Sequence, residues 1–193
     1  QNGLQADKIV AEFIPRENII SSIVMFGATY LEPGRIVHNF EGGWIIGKPF
    51  SPNDEETKKI ADILNNIFPV TLSEDILAQK WTKLFVNLNN CLPAVLGLSM
   101  QETFANLEMC AISIRLVKEA LDVVDKNKIA LKPLPDFDIQ KLRSLTNLPL
   151  TQAAGIFSGI MTNLSKEPLY GSVLQSIKRN RSSEIDYIND EVL

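Results

Sequence analysis

The order of hydrophobic and polar positions divides the chain into a β-rich first part and a helical remainder. Residues 4–14 show a helical repeat of apolar positions. Three runs rich in β-forming residues follow at 19–26, 35–40 and 44–47, and glycine-containing turns separate them. Short strands joined by tight turns predict a small antiparallel β-meander.

The second part of the chain begins after Ser51-Pro52-Asn53-Asp54, where a proline and two good N-cap residues precede an acidic first turn. Residues 68–72 are predicted to form a short extended link. The apolar repeats predict helices at 54–67, 73–97, 103–129, 138–145, 151–164 and 170–193. We therefore divide the chain into residues 1–52 and residues 53–193.

The first part is too thin to form a core by itself. Three strands with one covering helix bury little apolar surface, so we expect them to extend a sheet whose other strands precede this sequence. The chain begins without methionine, and it stops within a helix-like pattern that has no cap or breaker. We therefore expect an excerpt of a longer protein.

Composition and charge exclude several classes of protein. Of the 193 residues, 45% are hydrophobic and 22% are charged, which is typical of a globular chain. The net charge of −4 argues against a nucleic-acid partner, because such a partner requires a concentrated basic face. No apolar run approaches the about 20 residues that span a membrane, and we expect no signal peptide. Cys91 and Cys110 are predicted to be free thiols, so we expect a cytoplasmic protein.

A narrow polar stripe runs along the otherwise apolar helix predicted at 73–97. Lys83 and Asn87 are four positions apart, and Asn90 lies one further turn along. An amine and amides on a half-buried helix are suited to binding a small anionic, oxygen-rich molecule. Burial also lowers the pKa of a lysine, which makes it a usable proton donor. The alternative from spacing alone is that these side chains line a groove and contact only water.

Glu184 is the second unusual polar residue. If residues 170–193 are helical, counting about 100° per residue places Glu184 near the inward face, close to Ile177 and Ile188. A buried carboxylate requires a partner, and Lys83 is one candidate. The alternative is a pair with Arg181 or Lys178 on the surface of the same helix.

The motifs that are missing also limit the chemistry. The single histidine, His38, falls in a predicted strand, where a packed or surface role is expected, and we predict no metal site. The sequence contains no G-x-S-x-G elbow, no P-loop and no G-x-G-x-x-G. A dinucleotide-binding fingerprint, if one exists, lies outside this chain.

Four segments resemble, in order, the ketopantoate reductase (2-dehydropantoate 2-reductase) family. The first is the turn Gln1-Asn2-Gly3, and the second extends from Met25-Phe26-Gly27-Ala28 to Ile46-Gly47. The third, Lys80-Trp81-Thr82-Lys83-Leu84-Phe85-Val86-Asn87, is similar to the family's K-W-x-K-L-x-x-N helix. The fourth comprises Ser172-Val173-Leu174-Gln175 and Ser183-Glu184-Ile185-Asp186-Tyr187-Ile188-Asn189. The resemblance extends over essentially the whole chain.

The resemblance implies a fold. Residues 1–52 would be the C-terminal end of a Rossmann-type nucleotide-binding domain, most of which is missing. Residues 53–193 would be an all-helical substrate and catalytic domain of the 6-phosphogluconate-dehydrogenase-like type, truncated at its C-terminal end. The expected fold class is therefore α+β and mainly α, with a small β-meander followed by helices.

The resemblance also implies an activity, the NADPH-dependent reduction of 2-dehydropantoate to pantoate in pantothenate biosynthesis. Lys83 matches the catalytic lysine, which polarises and protonates the carbonyl oxygen, and Glu184 matches the active-site carboxylate. Asn87 and Ser172 match substrate-binding positions, and Asn2 matches an asparagine near the nicotinamide and the substrate. We expect the chain alone to be inactive. A homodimer is compatible with the resemblance, but the sequence does not decide it.

One departure from the family pattern affects the expected substrate. Cys91 stands where the family has a second asparagine four residues after the first, and Asn90 would replace it only if the helix rotated by about one position. Another 2-oxo acid is therefore an alternative substrate. The alternative to an enzyme is a helical oligomerisation or interaction module that has no catalytic role.

Overall fold

The computed structural model describes residues 2–135 and 137–193. Its strands are β1 (Ser21–Val24), β2 (Gly27–Glu32), β3 (Arg35–Phe40), β4 (Trp44–Gly47) and β5 (Val70–Leu72). Its α-helices are α1 (Ala6–Val10), α2 (Glu55–Leu64), α3 (Ile76–Asn87), α4 (Cys91–Leu96), α5 (Met100–Phe104), α6 (Leu107–Lys126), α7 (Ile139–Thr146), α8 (Leu150–Thr162) and α9 (Ser172–Lys178). Short 3₁₀ turns lie at Arg16–Asn18, Leu88–Asn90, Ile185–Tyr187 and Asp190–Val192. The predicted class, a small β region followed by helices, is confirmed.

The strand pairing differs from that of a consecutive meander. The run predicted at 19–26 contains only β1, and β2, which was not predicted as a strand, begins after it at Gly27. Strand β1 pairs antiparallel with β4, with Ser21 opposite Gly47. Strands β2 and β3 form a separate hairpin inserted between them. The order in the three-stranded sheet is β1-β4-β5. The first part of the chain is therefore a short sheet with a projecting hairpin.

Strand β5 was predicted only as an extended link. It pairs parallel to β4, with Trp44 opposite Val70 and Ile46 opposite Leu72. Because parallel neighbours need a crossover, α2 forms the connection between them. The division at residue 52 stays a prediction, but the sheet itself continues past that residue to Leu72.

The helix predicted at 73–97 is interrupted. Helix α3 ends at Asn87, a 3₁₀ turn follows, and α4 begins at Cys91. Pro93 explains the break, since proline lacks the N–H that a continuous helix would need there but is tolerated in the first turn of a new helix. Gly97, with φ of 71°, then ends α4 in the left-handed conformation.

The final segment corrects a second helical prediction. Helix α9 ends at Lys178, and Asn180 has a φ of 53°, so the chain reverses there. The N–H of Arg181 then bonds the carbonyl of Ser176 at 2.9 Å, which closes the helix end. Ile188 is fully buried whereas Ile177 is half exposed, so these residues do not share one helical face. Glu184 therefore lies on an irregular segment rather than on a helix.

Two apolar clusters hold the helical part together, and a third joins it to the sheet. The first packs α3 and its following turn against α6, through buried residues including Phe85, Leu88 and Val124. The second joins α5, α6 and α8, where the rings of Phe104 and Phe157 meet edge to face at 5.1 Å. The third links β1 and β4 to the start of α3. Helix α3 is thus fixed from both sides. Within the described residues, no helix has the length and apolarity needed to cross a membrane.

Candidate active site

Lys83 lies on α3, between residues that anchor that helix in the core. Helix α3 is capped by Asp75, whose carboxylate accepts from the N–H of Ala78 at 3.1 Å, and Leu84 and Phe85 are each 1% exposed. Burial lowers the pKa of Lys83 to about 8, and the negative charge of Glu184 opposes that shift. Glu184 therefore lies near enough to act on the charge of Lys83, but the ion pairs of the described residues do not include these two.

Glu184 is held by an amide rather than by a direct ion pair. The Nδ2 of Asn2 donates to Oε1 of Glu184 at 2.8 Å. The Nδ2 of Asn87 in turn donates to Oδ1 of Asn2 at 2.9 Å. These bonds connect three side chains, Asn87, Asn2 and Glu184, from α3, the start of the chain and the final segment. The structure thus joins three of the predicted site residues, Asn2, Asn87 and Glu184, by hydrogen bonds, and the charge of Glu184 acts on a fourth, Lys83.

The turn at Gly3 explains how Asn2 reaches this position. Gly3 has a φ of 77°, and a Cβ added to it would lie 2.2 Å from the carbonyl oxygen of Tyr187. Only glycine allows this backbone conformation together with such a close approach. Gln1, the first residue of the predicted turn, lies outside the described residues.

Within the described residues, the two alternative partners, Arg181 and Lys178, form no ion pair with Glu184. The amine of Lys178 lies over the ring of Tyr170 at 4.1 Å. Glu184 therefore faces the site rather than its own surface neighbours.

Asn90 and Ser172 form a second polar group beside the first. Asn90 ends the 3₁₀ turn after α3, and Ser172 begins α9. The Nδ2 of Asn90 lies 3.5 Å from the Oγ of Ser172, at the long limit of a hydrogen bond. Asn90 is 7% exposed. The predicted substrate-binding residues thus lie on adjoining elements.

The sequence analysis missed a buried ion pair next to the site. The Nζ of Lys80 lies 2.6 Å from Oδ2 of Asp7, and both side chains are almost fully buried. The hydroxyl of Ser21 donates to the same carboxylate oxygen at 3.0 Å. This pair joins α1, β1 and α3 one turn before Lys83. The available signal was that Lys80 and Asp7 both stand within apolar helical patterns, where an ionised side chain requires a partner.

Comparisons with known proteins identify the family of this chain. A family profile described as "Ketopantoate reductase PanE/ApbA C terminal" matches residues 75–193, which is more than half of the chain. A second, "Ketopantoate reductase PanE/ApbA", matches residues 1–49. The chain belongs to the ketopantoate reductase family.

The individual relatives have low sequence identity to this chain, between 18% and 27%. A 2-dehydropantoate 2-reductase of Pyrococcus horikoshii is 27% identical over 195 residues, a match that covers 100% of this chain and 58% of that protein. The structure of a D-mandelate dehydrogenase with NADH has a TM-score of 0.73 at 25% identity, covering 99% of this chain and 59% of the other. A dimeric ketopantoate reductase from Staphylococcus aureus shares the fold, with a TM-score of 0.63 at 18% identity, covering 100% and 57%. The chain thus spans less than two thirds of these relatives.

Proposed function

We propose that this chain supplies the substrate side of an oxidoreductase that reduces 2-dehydropantoate to pantoate with NADPH. The observation that carries the proposal is the amine of Lys83, whose pKa burial lowers to about 8 beside Glu184. An amine of this kind is a proton donor near neutral pH. The hydrogen bonds that join Asn2, Asn87 and Glu184, from three separate parts of the chain, support a built site.

The reaction adds a hydride and a proton to a carbonyl group. A nicotinamide cofactor, when bound, would supply the hydride that the C2 carbon of the 2-oxo acid receives. The Lys83 ammonium polarises the carbonyl oxygen and gives it a proton, so the C=O bond becomes CH–OH and the amine is left neutral. Lys83 therefore needs to be protonated before the step and to regain a proton after it.

The other polar residues orient the acid and its donor. Glu184 keeps the Lys83 amine charged, because its own negative charge raises the pKa of that amine. Asn87 and Asn2 each have amide hydrogens that point into this polar group, and amides bind carboxylate and carbonyl oxygens. Ser172 supplies a hydroxyl from the opposite element. These assignments follow the positions that the family resemblance gave.

Asn2 is the residue of this chain that we assign to cofactor binding. Its side chain is half-buried and bonded at both ends, to Asn87 and to Glu184. By the family resemblance, this amide would lie near the nicotinamide and the substrate. Because the sequence has no glycine-rich phosphate-binding turn, the rest of the cofactor would be held outside this chain.

A D-mandelate dehydrogenase type of activity is the second candidate. The structural likeness to that protein, with a TM-score of 0.73, favours a reductase for another 2-oxo acid, with NADH as the donor. A panel of 2-dehydropantoate and phenylglyoxylate, each with NADPH and with NADH, separates the two activities.

A helical interaction module without catalysis is the third candidate. It is supported by apolar side chains left exposed on α8, Ile156 at 44% and Ile160 at 54%. The same face would serve a homodimer of the reductase. Sedimentation of the protein detects either assembly, but only the reductase oxidises NADPH or NADH with a 2-oxo acid. The cytoplasmic location stays a prediction, in keeping with the free thiols of Cys91 and Cys110.

The test of the proposed reaction is the substitution Lys83→Met in the protein expressed from its complete gene. We expect kcat/KM with 2-dehydropantoate to fall by about 10²- to 10³-fold, the range for losing one group that stabilises a developing charge. Lys166→Met, at an exposed lysine, is the matched control and should retain full activity. The 193-residue chain alone should show no turnover and no measurable NADPH affinity. Full activity in the Lys83→Met variant would refute the assignment.

A further inference from the structure

The 3₁₀ turn after α3 changes which side chains share a face. In an α-helix, the side chain of residue i+3 does not project in the same direction as that of residue i. In a 3₁₀ helix, which has three residues per turn, the two side chains lie directly in line along the axis. Asn87 and Asn90 have ψ angles of −20° and −19°, which are 3₁₀ values. Asn90 is thereby brought into line with Asn87, about 6 Å further along the axis at roughly 2 Å per residue.

The same turn directs Cys91 away from this line. The Sγ of Cys91 donates to the carbonyl of Leu88 at 3.2 Å. The Nδ2 of Asn189 also donates to that carbonyl at 3.2 Å and lies 3.6 Å from the sulfur. The side chain of Cys91 therefore contacts the final segment of the chain, and the Leu88 carbonyl accepts from both Cys91 and Asn189.

Gly171 makes room for the amide of Asn90. A Cβ at residue 171 would lie 2.8 Å from Oδ1 of Asn90 and 2.9 Å from Cε of Met100. Asn90 is nearly buried, yet its one described side-chain bond is the 3.5 Å contact with Ser172. A buried amide with so weak a partner has capacity to bond a further polar group.

From this geometry we infer that Asn90 is a specificity-determining residue, which receives a polar substituent of the 2-oxo acid one helical turn beyond the carbonyl. The inference rests on the proposed function. Ser172 lies on the other side of the same position. A substrate with a hydroxyl a few bonds from its carbonyl would bond Asn90, whereas an aryl 2-oxo acid would leave its amide unpaired.

The experiment compares two substrates and two ligands across matched variants of the protein expressed from its complete gene. The substrates are 2-dehydropantoate, which carries a hydroxyl, and phenylglyoxylate, which carries a phenyl ring. Asn90→Leu should lower kcat/KM for 2-dehydropantoate by roughly 10- to 100-fold and leave that for phenylglyoxylate within about threefold. Gly171→Ala should shift the ratio in the same direction, because the added Cβ displaces the Asn90 amide.

Asn89→Leu is the control variant. Asn89 lies on the same 3₁₀ turn and is equally buried, but its side chain bonds Ser113 in the core. This substitution should lower the unfolding temperature without changing the substrate ratio. Calorimetric binding of D-pantoate and D-mandelate to the same variants, with cofactor present, measures the discrimination independently of turnover.

The outcomes separate the inference from the proposed function. If both substrates lose activity equally in Asn90→Leu, or if the ratio does not move, the inference is overturned while the reductase stands. If the wild-type protein turns over neither 2-oxo acid, the proposed function falls, and a shift in the pantoate to mandelate binding ratio still supports the role of Asn90. If neither ligand binds, both are overturned.

Discussion

The amine of Lys83 is subject to two opposing effects. Burial disfavours its charged form and lowers the pKa to about 8, while the carboxylate of Glu184 favours the charged form and raises it. Burial is the larger effect. The pKa of Lys83 is therefore set mainly by the apolar packing of α3, and Glu184 only reduces the size of the shift.

We predict a pH dependence from this balance. In the reduction, the protonated amine is the active form, so kcat/KM should fall as the pH rises through about 8. Glu184→Gln removes the charge that raises the pKa, so the fall should move to lower pH. Measuring pH profiles of both proteins over pH 6 to about 10 checks the direction. An unchanged or higher inflection in Glu184→Gln would contradict the assignment.

The same shift predicts an effect on stability. The pKa of Lys83 in the folded protein is below its unfolded value of 10.5, so between about 8 and 10.5 the unfolded chain binds a proton that the folded chain does not. The contribution of this lysine to stability is therefore lowest below pH 8 and rises through that window. Lys83→Met should be more resistant to urea than the wild type at pH 7, and this advantage should shrink towards pH 10.5. A less stable variant at pH 7 would show that the amine is stabilising.

The individual site residues differ in how far sequence could predict them. The spacing of Lys83 and Asn87 on one helix, together with the family resemblance, was sufficient to select them. The bonds of Asn2 were not predictable, because Asn2 and Glu184 are 182 positions apart and their contact depends on the whole fold. The pair of Asp7 and Lys80, 73 positions apart, was missed for the same reason.

At the scale of elements, apolar periodicity predicted where helices occur better than where they end. It placed α2, α7 and α8 to within a few residues. It failed at Pro93 and at Asn180, where apolar residues continue in a helix-like order but the backbone turns. The consequence for the site is direct, since Glu184 reaches Asn2 only because the chain leaves the helix after α9.

The buried pair of Asp7 and Lys80 gives a prediction about these elements. Its side chains are 6% and 2% exposed, and removing one partner leaves an uncompensated charge in the core. Lys80→Met should therefore lower the free energy of unfolding by about 3–5 kcal/mol, whereas the double substitution Lys80→Met with Asp7→Leu should cost much less. Urea unfolding of the two single variants and the double variant measures the coupling.

The exposed pair of Arg143 and Asp125 is the control for that experiment. Its two nitrogen–oxygen distances are 2.7 and 2.6 Å, as short as the buried contact, but the Asp125 side chain is 54% exposed. Arg143→Met should cost only about 0–1 kcal/mol, because water screens the pair. Equal losses for Lys80→Met and Arg143→Met would show that burial does not set the cost.

Across the whole molecule, the side chain of Gln175 links the projecting hairpin to the helical part. The Oε1 of Gln175 on α9 accepts from the N–H of Tyr30 on β2 at 3.1 Å. Its Nε2 donates to the carbonyl of Tyr170 at 2.7 Å and lies 3.4 Å from that of Ala28. The apolar repeat predicted a helix that includes α9, but it predicted neither strand β2 nor this connection, because the repeat of one element does not show contacts with residues 145 positions away.

Substituting Gln175 tests whether this connection holds the two parts together. Gln175→Leu removes the acceptor of the Tyr30 amide and the donor to Tyr170, so the hairpin should open more often while the core of α3 and α6 is unaffected. Hydrogen exchange followed by mass spectrometry should show faster exchange at residues 27–32 and unchanged protection at residues 107–126. Gln140→Leu, at an exposed position on α7, should alter neither region. Unchanged exchange at 27–32 in Gln175→Leu would mean that the ring of Tyr30, which lies 4.7 Å from the guanidinium of Arg179, holds the hairpin instead.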